Sequence, residues 1–264
     1  MTFGVRSLRV GSTDMRGPEL FWMSDWDVRY PLCFQAVLIE GADVCALVNT
    51  SPPVDLDPVH NEFPRLRWAL PGEGRLEREP HEHIEAALAR ASLEPADLTH
   101  VILTPLELYT TGTLDRFEHA QICISRRGWV HFHTTHDHWH DQRWRSIPRA
   151  ILTELVTDSW PRVRLLDDED EIAPGLRTWW AGVHHRETIV VEVDTAEGVV
   201  CISDAYFYFE NIEQNRLLGL NESMEEAAVA YERVRRTADH LLPLHDPRVF
   251  ERYPDGVIAR RAGA

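Results

Sequence analysis

Short apolar runs separated by Gly-, Pro- and Asp-rich turns set the rhythm of this chain. Residues 33–39 (Cys-Phe-Gln-Ala-Val-Leu-Ile) and 44–48 (Val-Cys-Ala-Leu-Val) flank Glu40, Gly41, Ala42 and Asp43. Two β-rich runs with glycine between them predict a β-hairpin. Residues 49–76 are rich in Pro, Asp and Gly and read as a long loop. Over 80–92, Ile84, Ala87, Leu88 and Ala91 fall on one face behind Pro80, which predicts a helix opening on its proline. Val101–Thr104 and Gln121–Ser125 read as strands, and 147–157 as a helix with Ile147, Ile151 and Leu155 on one side. After the Ala173, Pro174, Gly175 turn, strands are expected at Leu176–Ala181, Thr188–Val193 and Val199–Ser203. The acidic run Asp167–Glu171 reads as a solvated loop, and Glu222–Leu242 as the longest helix. Strands with helices, then again strands with helices, suit two sheets that bury their apolar faces and leave the helices outside.

Length and composition narrow this picture. The chain has 264 residues, 44% of them hydrophobic, enough for one large domain or two small ones. No low-complexity linker divides it, so one domain over 1–264 is expected. A net charge of −16 disfavours phosphate backbones and anionic membranes, which excludes nucleic acid as the expected partner. No run of about 18 apolar residues is present, and the N-terminus has no basic segment followed by an apolar core. A cytoplasmic protein without a membrane span is the expectation. Cys33, Cys45, Cys123 and Cys201 are scattered and fit buried, reduced thiols. Nine tryptophans, Trp179 and Trp180 among them, suit core packing or an apolar pocket wall.

Four segments together resemble the N-acyl homoserine lactonase branch of the metallo-β-lactamase superfamily. Leu47, Val48, Asn49 and Thr50 look like its early L-V-D-T-G turn, and residues 93–102 like its helix-to-strand lead-in. Cys201, Ile202, Ser203, Asp204 and Ala205 resemble its strand ending in a metal-bridging aspartate. Leu244, His245, Asp246 and Pro247 resemble its last ligand segment. The resemblance covers roughly residues 30–258. It implies the α/β (α+β) class and a four-layer αββα sandwich of two mixed β-sheets.

The resemblance also implies seven metal-ligand positions. His184, with His185 adjacent, stands at the middle histidine, Asp204 at the bridging aspartate and His245 at the last histidine. The family's H-x-H-x-D-H loop falls on Pro105, Glu107, Tyr109 and Thr110. Pro105 cannot bind a metal, Thr110 is a poor ligand, and Tyr109 rarely binds zinc, whereas Glu107 is a competent oxygen ligand. The second metal would keep only Asp204 and His245, too few for tight binding. What remains is one divalent metal, zinc or iron, held by Glu107, His184 and Asp204 with His245 near, or no metal at all. Phe207 takes the place of the family's carbonyl-polarising tyrosine. Tyr206 and Tyr208 flank it, and a small shift of register would recruit Tyr206 as a catalytic group. Asn49 replaces an aspartate behind the site.

His131, His133, His136, His138 and His140 form a second cluster. On an extended segment these alternate histidines would line one face and could hold a metal; the other reading is a solvated loop. There is no P-loop, no G-x-G-x-x-G and no G-x-S-x-G elbow. Three functional readings stay open. The leading one is a lactonase-like hydrolase of a small lactone or ester using a remodelled mononuclear metal site. The others are a metal-free pseudo-enzyme that binds a small molecule, and a metal-independent acid–base enzyme using His184, Asp204 and His245. The expected partner is a small molecule, and a homodimer is compatible with the sequence.

Overall fold

The computed structural model describes residues 2–41, 43–56, 75–134 and 147–261. Among these, twelve strands form two sheets. The seven-stranded sheet runs β12-β1-β2-β3-β4-β5-β6 and the five-stranded sheet β11-β10-β9-β8-β7. In the first sheet, β1 (Gly4–Arg16), β2 (Arg29–Glu40) and β3 (Cys45–Val48) are antiparallel. From β3 onward, β4 (His100–Leu103), β5 (Gln121–Ser125) and β6 (Val163–Leu166) pair in parallel, and β12 (Val257–Ala259) closes the other edge. In the second, β7 (Glu169–Ala173), β8 (Leu176–Trp180), β9 (Ile189–Thr195) and β10 (Gly198–Ser203) are antiparallel, and β11 (His240–Pro243) joins β10 in parallel. The expected hairpin is present as β2 and β3, and β9 and β10 form another in the second sheet.

Alternation along the strands builds the layers, because successive side chains point to opposite faces. Val37, Ile39, Ala46, Val48, Ile102 and Cys123 meet Ile189, Val191, Val193, Val200 and Ile202 between the sheets. Their neighbours Leu38, Leu47, Val101, Leu103, Ile122 and Ile124 face the other way, onto Ile84, Ala87 and Leu88 and onto Trp129, Phe132, Ile151 and Leu155. Those residues lie on the helices Ile84–Arg90, Arg126–His133 and Arg149–Val156. On the far side of the second sheet, Val190 and Cys201 pack against Ala227, Ala230, Tyr231 and Val234 of helix Met224–Thr237. The order is therefore helix, sheet, sheet, helix, the αββα sandwich expected.

Several local expectations change. The 80–92 helix breaks at His83 into a 3-10 turn, Pro80–Glu82, and the helix Ile84–Arg90. The long C-terminal helix stops at Thr237, and Leu241 and Leu242 belong to β11 instead. Asp167–Glu171 is not simply a loop: Glu169 begins β7, an edge strand whose acidic side chains reach outward, with Asp170 bonded to Arg164 at 2.7 Å. His131 and His133 lie on the helix Arg126–His133, not on an extended face. His136, His138 and His140, and residues 57–74 of the expected long loop, lie outside the described residues. No helix among the described residues is long and apolar enough to cross a membrane.

Candidate active site

Four strand ends deliver the predicted residues to one edge of the sandwich. Beyond β4 the chain passes through Thr104 and Pro105 to Glu107, the residue before helix Leu108–Thr111. Between β8 and β9 lies the turn 181–188 with His184 and His185. Asp204 follows β10, and His245 follows β11.

Asp204 is fully buried. Thr104 Oγ1 donates to its Oδ1 at 2.9 Å and Thr188 Oγ1 to its Oδ2 at 3.3 Å. Burial pushes its carboxyl up to about 6, against the opposing pull of His185 and the two threonine hydroxyls. Thr104 is itself clamped. Asn49 Nδ2 donates to the Thr104 carbonyl and Thr104 N–H donates to Asn49 Oδ1, both at 2.8 Å. Asn49 sits at φ 61°, a left-handed conformation that asparagine tolerates better than most residues.

His185, in the turn before β9, pairs with Glu107. Its Nε2 lies 3.8 Å from Glu107 Oε1, and its backbone N–H donates to Thr188 Oγ1 at 3.2 Å. Glu107, His185 and Asp204 are all buried, and His185 stands beside Glu107. His184, the residue aligned from sequence, turns aside. Its Nδ1 donates to the Leu220 carbonyl at 2.9 Å, and its ring stands 4.0 Å from that of His185. The cause lies in the turn: Gly182 (φ 63°) and Val183 (φ 66°) both take left-handed conformations, which resets which histidine faces inward. A buried β-branched residue at such a φ is strained, and strain of this kind is held in place only by surrounding structure.

His245 occupies an aromatic niche. Phe207 lies 4.4 Å away between ring centroids, and Phe34 and Tyr109 each 5.6 Å. Its Nδ1 faces the Cys33 carbonyl at 3.1 Å. A carbonyl only accepts, so Nδ1 carries a proton. Phe207 also contacts His184, at 4.8 Å, so its ring is shared between the two histidines.

Tyr206 does not join the site. It is fully buried behind the second sheet, and its hydroxyl donates to the Cys201 carbonyl at 2.7 Å. The Tyr208 hydroxyl is likewise bonded, to the Pro31 carbonyl. Both lie in the turn between β10 and the helix Phe209–Glu213, with their hydroxyls held by these carbonyls. Thr110 spends its hydroxyl inside its own loop, on the carbonyls of Pro105 and Glu107 at 2.7 and 2.8 Å.

The donor set does not fit the metal centre implied by the resemblance. Both Asp204 oxygens accept from threonine hydroxyls, and Phe207 stands against both His184 and His245. Among the described residues no three His, Cys, Asp or Glu side chains are arranged to hold a metal ion. This applies to the pair of metals and to the single site of Glu107, His184 and Asp204.

Comparison with solved structures settles the fold. An N-acyl homoserine lactone hydrolase solved with N-hexanoyl-L-homoserine bound at its metal centre superposes with a TM-score of 0.75 over 96% of this chain and 97% of its own, at 16% identity. A quorum-quenching N-acyl homoserine lactone lactonase gives 0.74 at 17% identity, covering 98% of this chain and 99% of its own. The chain has the metallo-β-lactamase fold. A probable metal-dependent hydrolase from Staphylococcus aureus shares it at a TM-score of 0.70 and 16% identity, over 92% of this chain and 89% of its own. No protein-family model and no curated protein matches the sequence. At these identities the likeness establishes the architecture, and the chemistry has to be read from the residues.

Proposed function

We propose that this chain is a metal-independent hydrolase of a small lactone or ester, with Glu107, His185 and Asp204 as its acid–base centre. The observation that carries the reading is the buried carboxylate–imidazole pair, with 3.8 Å between Glu107 Oε1 and His185 Nε2 and buried Asp204 at the neighbouring strand end. That distance is an ion-pair contact, too long for a direct hydrogen bond. Neutral His185 would take a proton from a water beside the pair as its oxygen attacks the substrate carbonyl. The tetrahedral intermediate then collapses, the ring or ester C–O bond breaks, and the imidazolium returns its proton to the departing alkoxide. Water adds across the bond and no charge is left over. Asp204 stabilises the imidazolium and Glu107 orients the water. His245 is a further proton carrier, and Phe34, Tyr109 and Phe207 give the acyl part an apolar wall.

The test compares neighbouring histidines on chromogenic esters and acyl lactones. His185→Gln should lower kcat/KM by about a hundredfold or more, and His184→Gln by far less. Equal losses in the two variants, or a larger loss at His184, would reject the assignment. The niche around His245 also favours a second reading, a binding protein on the same fold. Saturable binding of such molecules with no turnover in the wild type would support that reading instead.

A further inference from the structure

A second concavity lies away from this centre, between the end of β8 and helix Met224–Thr237. It has a volume of about 310 Å³ and is lined by Trp179, Trp180 and Ala181 on one side and by Glu225, Glu226, Val229, Ala230 and Arg233 on the other. The helix residues recur at the spacing of one face. That volume falls at the lower end of small-molecule sites.

The polar groups of this groove are already engaged, with one exception. Trp179 Nε1 donates to buried Glu192 at 2.7 Å and Trp180 Nε1 to the Arg186 carbonyl at 2.7 Å; Trp179 is only 4% exposed, so the indole carbon that reaches the groove is that of half-buried Trp180. Arg233 bonds Glu169 at 2.6 Å and lies over Trp179 at 4.3 Å. Arg186 holds Glu226 with two bonds, at 2.7 and 3.1 Å, and lies over Trp180 at 4.6 Å. Arg127 covers Trp180 at 3.9 Å and pairs with Asp168 at 3.5 Å. Stacked guanidiniums stiffen these walls. Glu225 is exposed and has no ion pair among the described residues, and Val229 beside it is 72% exposed. Carboxylates outnumber guanidiniums around the groove, in a chain of net charge −16.

We propose that this groove binds a small organic cation with an aromatic or alkyl body. The body would lie on Val229 and the exposed part of Trp180, and the ammonium would face Glu225. An anion of the same shape would meet an excess of carboxylates, and a strongly polar molecule would find no unoccupied partners on the indoles. The groove is joined to the turn that carries His184 and His185. A Cβ at Gly182 would come within 2.8 Å of both the Trp180 ring and Glu226, so these two side chains set the path of the backbone there. The proposal is independent of the hydrolase reading, because it concerns binding and not turnover.

The test titrates the full chain at low ionic strength with phenethylamine, 2-phenylethanol and phenylacetate, followed by calorimetry. Phenethylamine should saturate with a Kd of about 1 mM or tighter. The neutral alcohol should bind about threefold or more weakly, and phenylacetate should not bind. Val229→Arg, a change at an exposed position that spares the fold, should abolish binding by filling the groove with like charge. Glu225→Gln should weaken it about threefold and remove its salt dependence. No saturation by phenethylamine, full binding by Val229→Arg, or equal binding of amine and carboxylate would each overturn the proposal.

Discussion

Glu107 and His185 face each other across 3.8 Å from strand ends that belong to different sheets. Glu107 follows β4 of the seven-stranded sheet, and His185 precedes β9 of the five-stranded one. The pair therefore forms only when the two sheets have packed, and sequence distance says nothing about it. If it holds the reacting water, Glu107→Gln keeps the shape and removes the charge. We expect kcat/KM to fall by roughly tenfold to a hundredfold with little change in KM. A KM effect alone would assign Glu107 to substrate binding.

Asp204 gives stability a pH dependence of defined sign. Its folded-state value is about 6, above the ordinary 3.8. The folded protein therefore holds this proton more tightly than the unfolded chain. Its contribution is fully present below about pH 4 and is lost as pH rises through about 6, an effect on the order of 3 kcal/mol. Carboxylates held low by arginines, such as Asp25, Asp194 and Glu210, act in the opposite sense, losing their contribution as pH falls. The difference between wild type and Asp204→Asn isolates the one group. Between pH 4.5 and 7.5 the variant's Tm should fall less, or rise more, than that of the wild type. Parallel Tm curves would show that Asp204 titrates normally.

The reciprocal bond between Asn49 and Thr104 aims the Thr104 hydroxyl at Asp204. Asn49→Asp keeps the acceptor for the Thr104 N–H but faces the Thr104 carbonyl with an oxygen. Leaving that buried pair of acceptors in contact should destabilise the protein by about 1–3 kcal/mol. Chemical denaturation measures it directly, and an unchanged midpoint would show that the clamp is not rigid.

Much of the architecture was legible because it rests on alternation. Val37 and Ile39 against Leu38, or Ile102 against Val101 and Leu103, declare two buried faces without any knowledge of the fold. β1 was not foreseen, although Val5, Leu8 and Val10 are buried, because Arg6, Ser7 and Arg9 interrupt the apolar pattern. β7 was read as a loop because an edge strand keeps acidic side chains in water. At the site, Asp204, Glu107 and His245 follow from the resemblance to the lactonase branch, and the structure sets all three just beyond strand ends. His185 was not separable from His184, since the choice depends on two left-handed residues in the turn, one of them a valine that no propensity would place there. Tyr206 was misplaced for a related reason: its role depends on which side of the second sheet receives it.

Phe207 offers a check on the aromatic niche. It is buried and touches both His184 and His245. Phe207→Ala should cost about 3–5 kcal/mol through the cavity it leaves. Phe207→Leu should cost less and restore most of the Tm. Equal, small effects of both variants would mean that the ring packs loosely.

The central claim is that the residues at this edge act without a metal. Its most direct test is hydrolysis of acyl lactones and chromogenic esters by untagged protein, measured before and after exhaustive chelation, after Zn²⁺, Mn²⁺ or Fe²⁺ is added back, and in His185→Gln. We expect the wild-type rate to survive chelation, to be indifferent to added metal, and to collapse in His185→Gln. A rate that vanishes on chelation and returns with stoichiometric metal would contradict it.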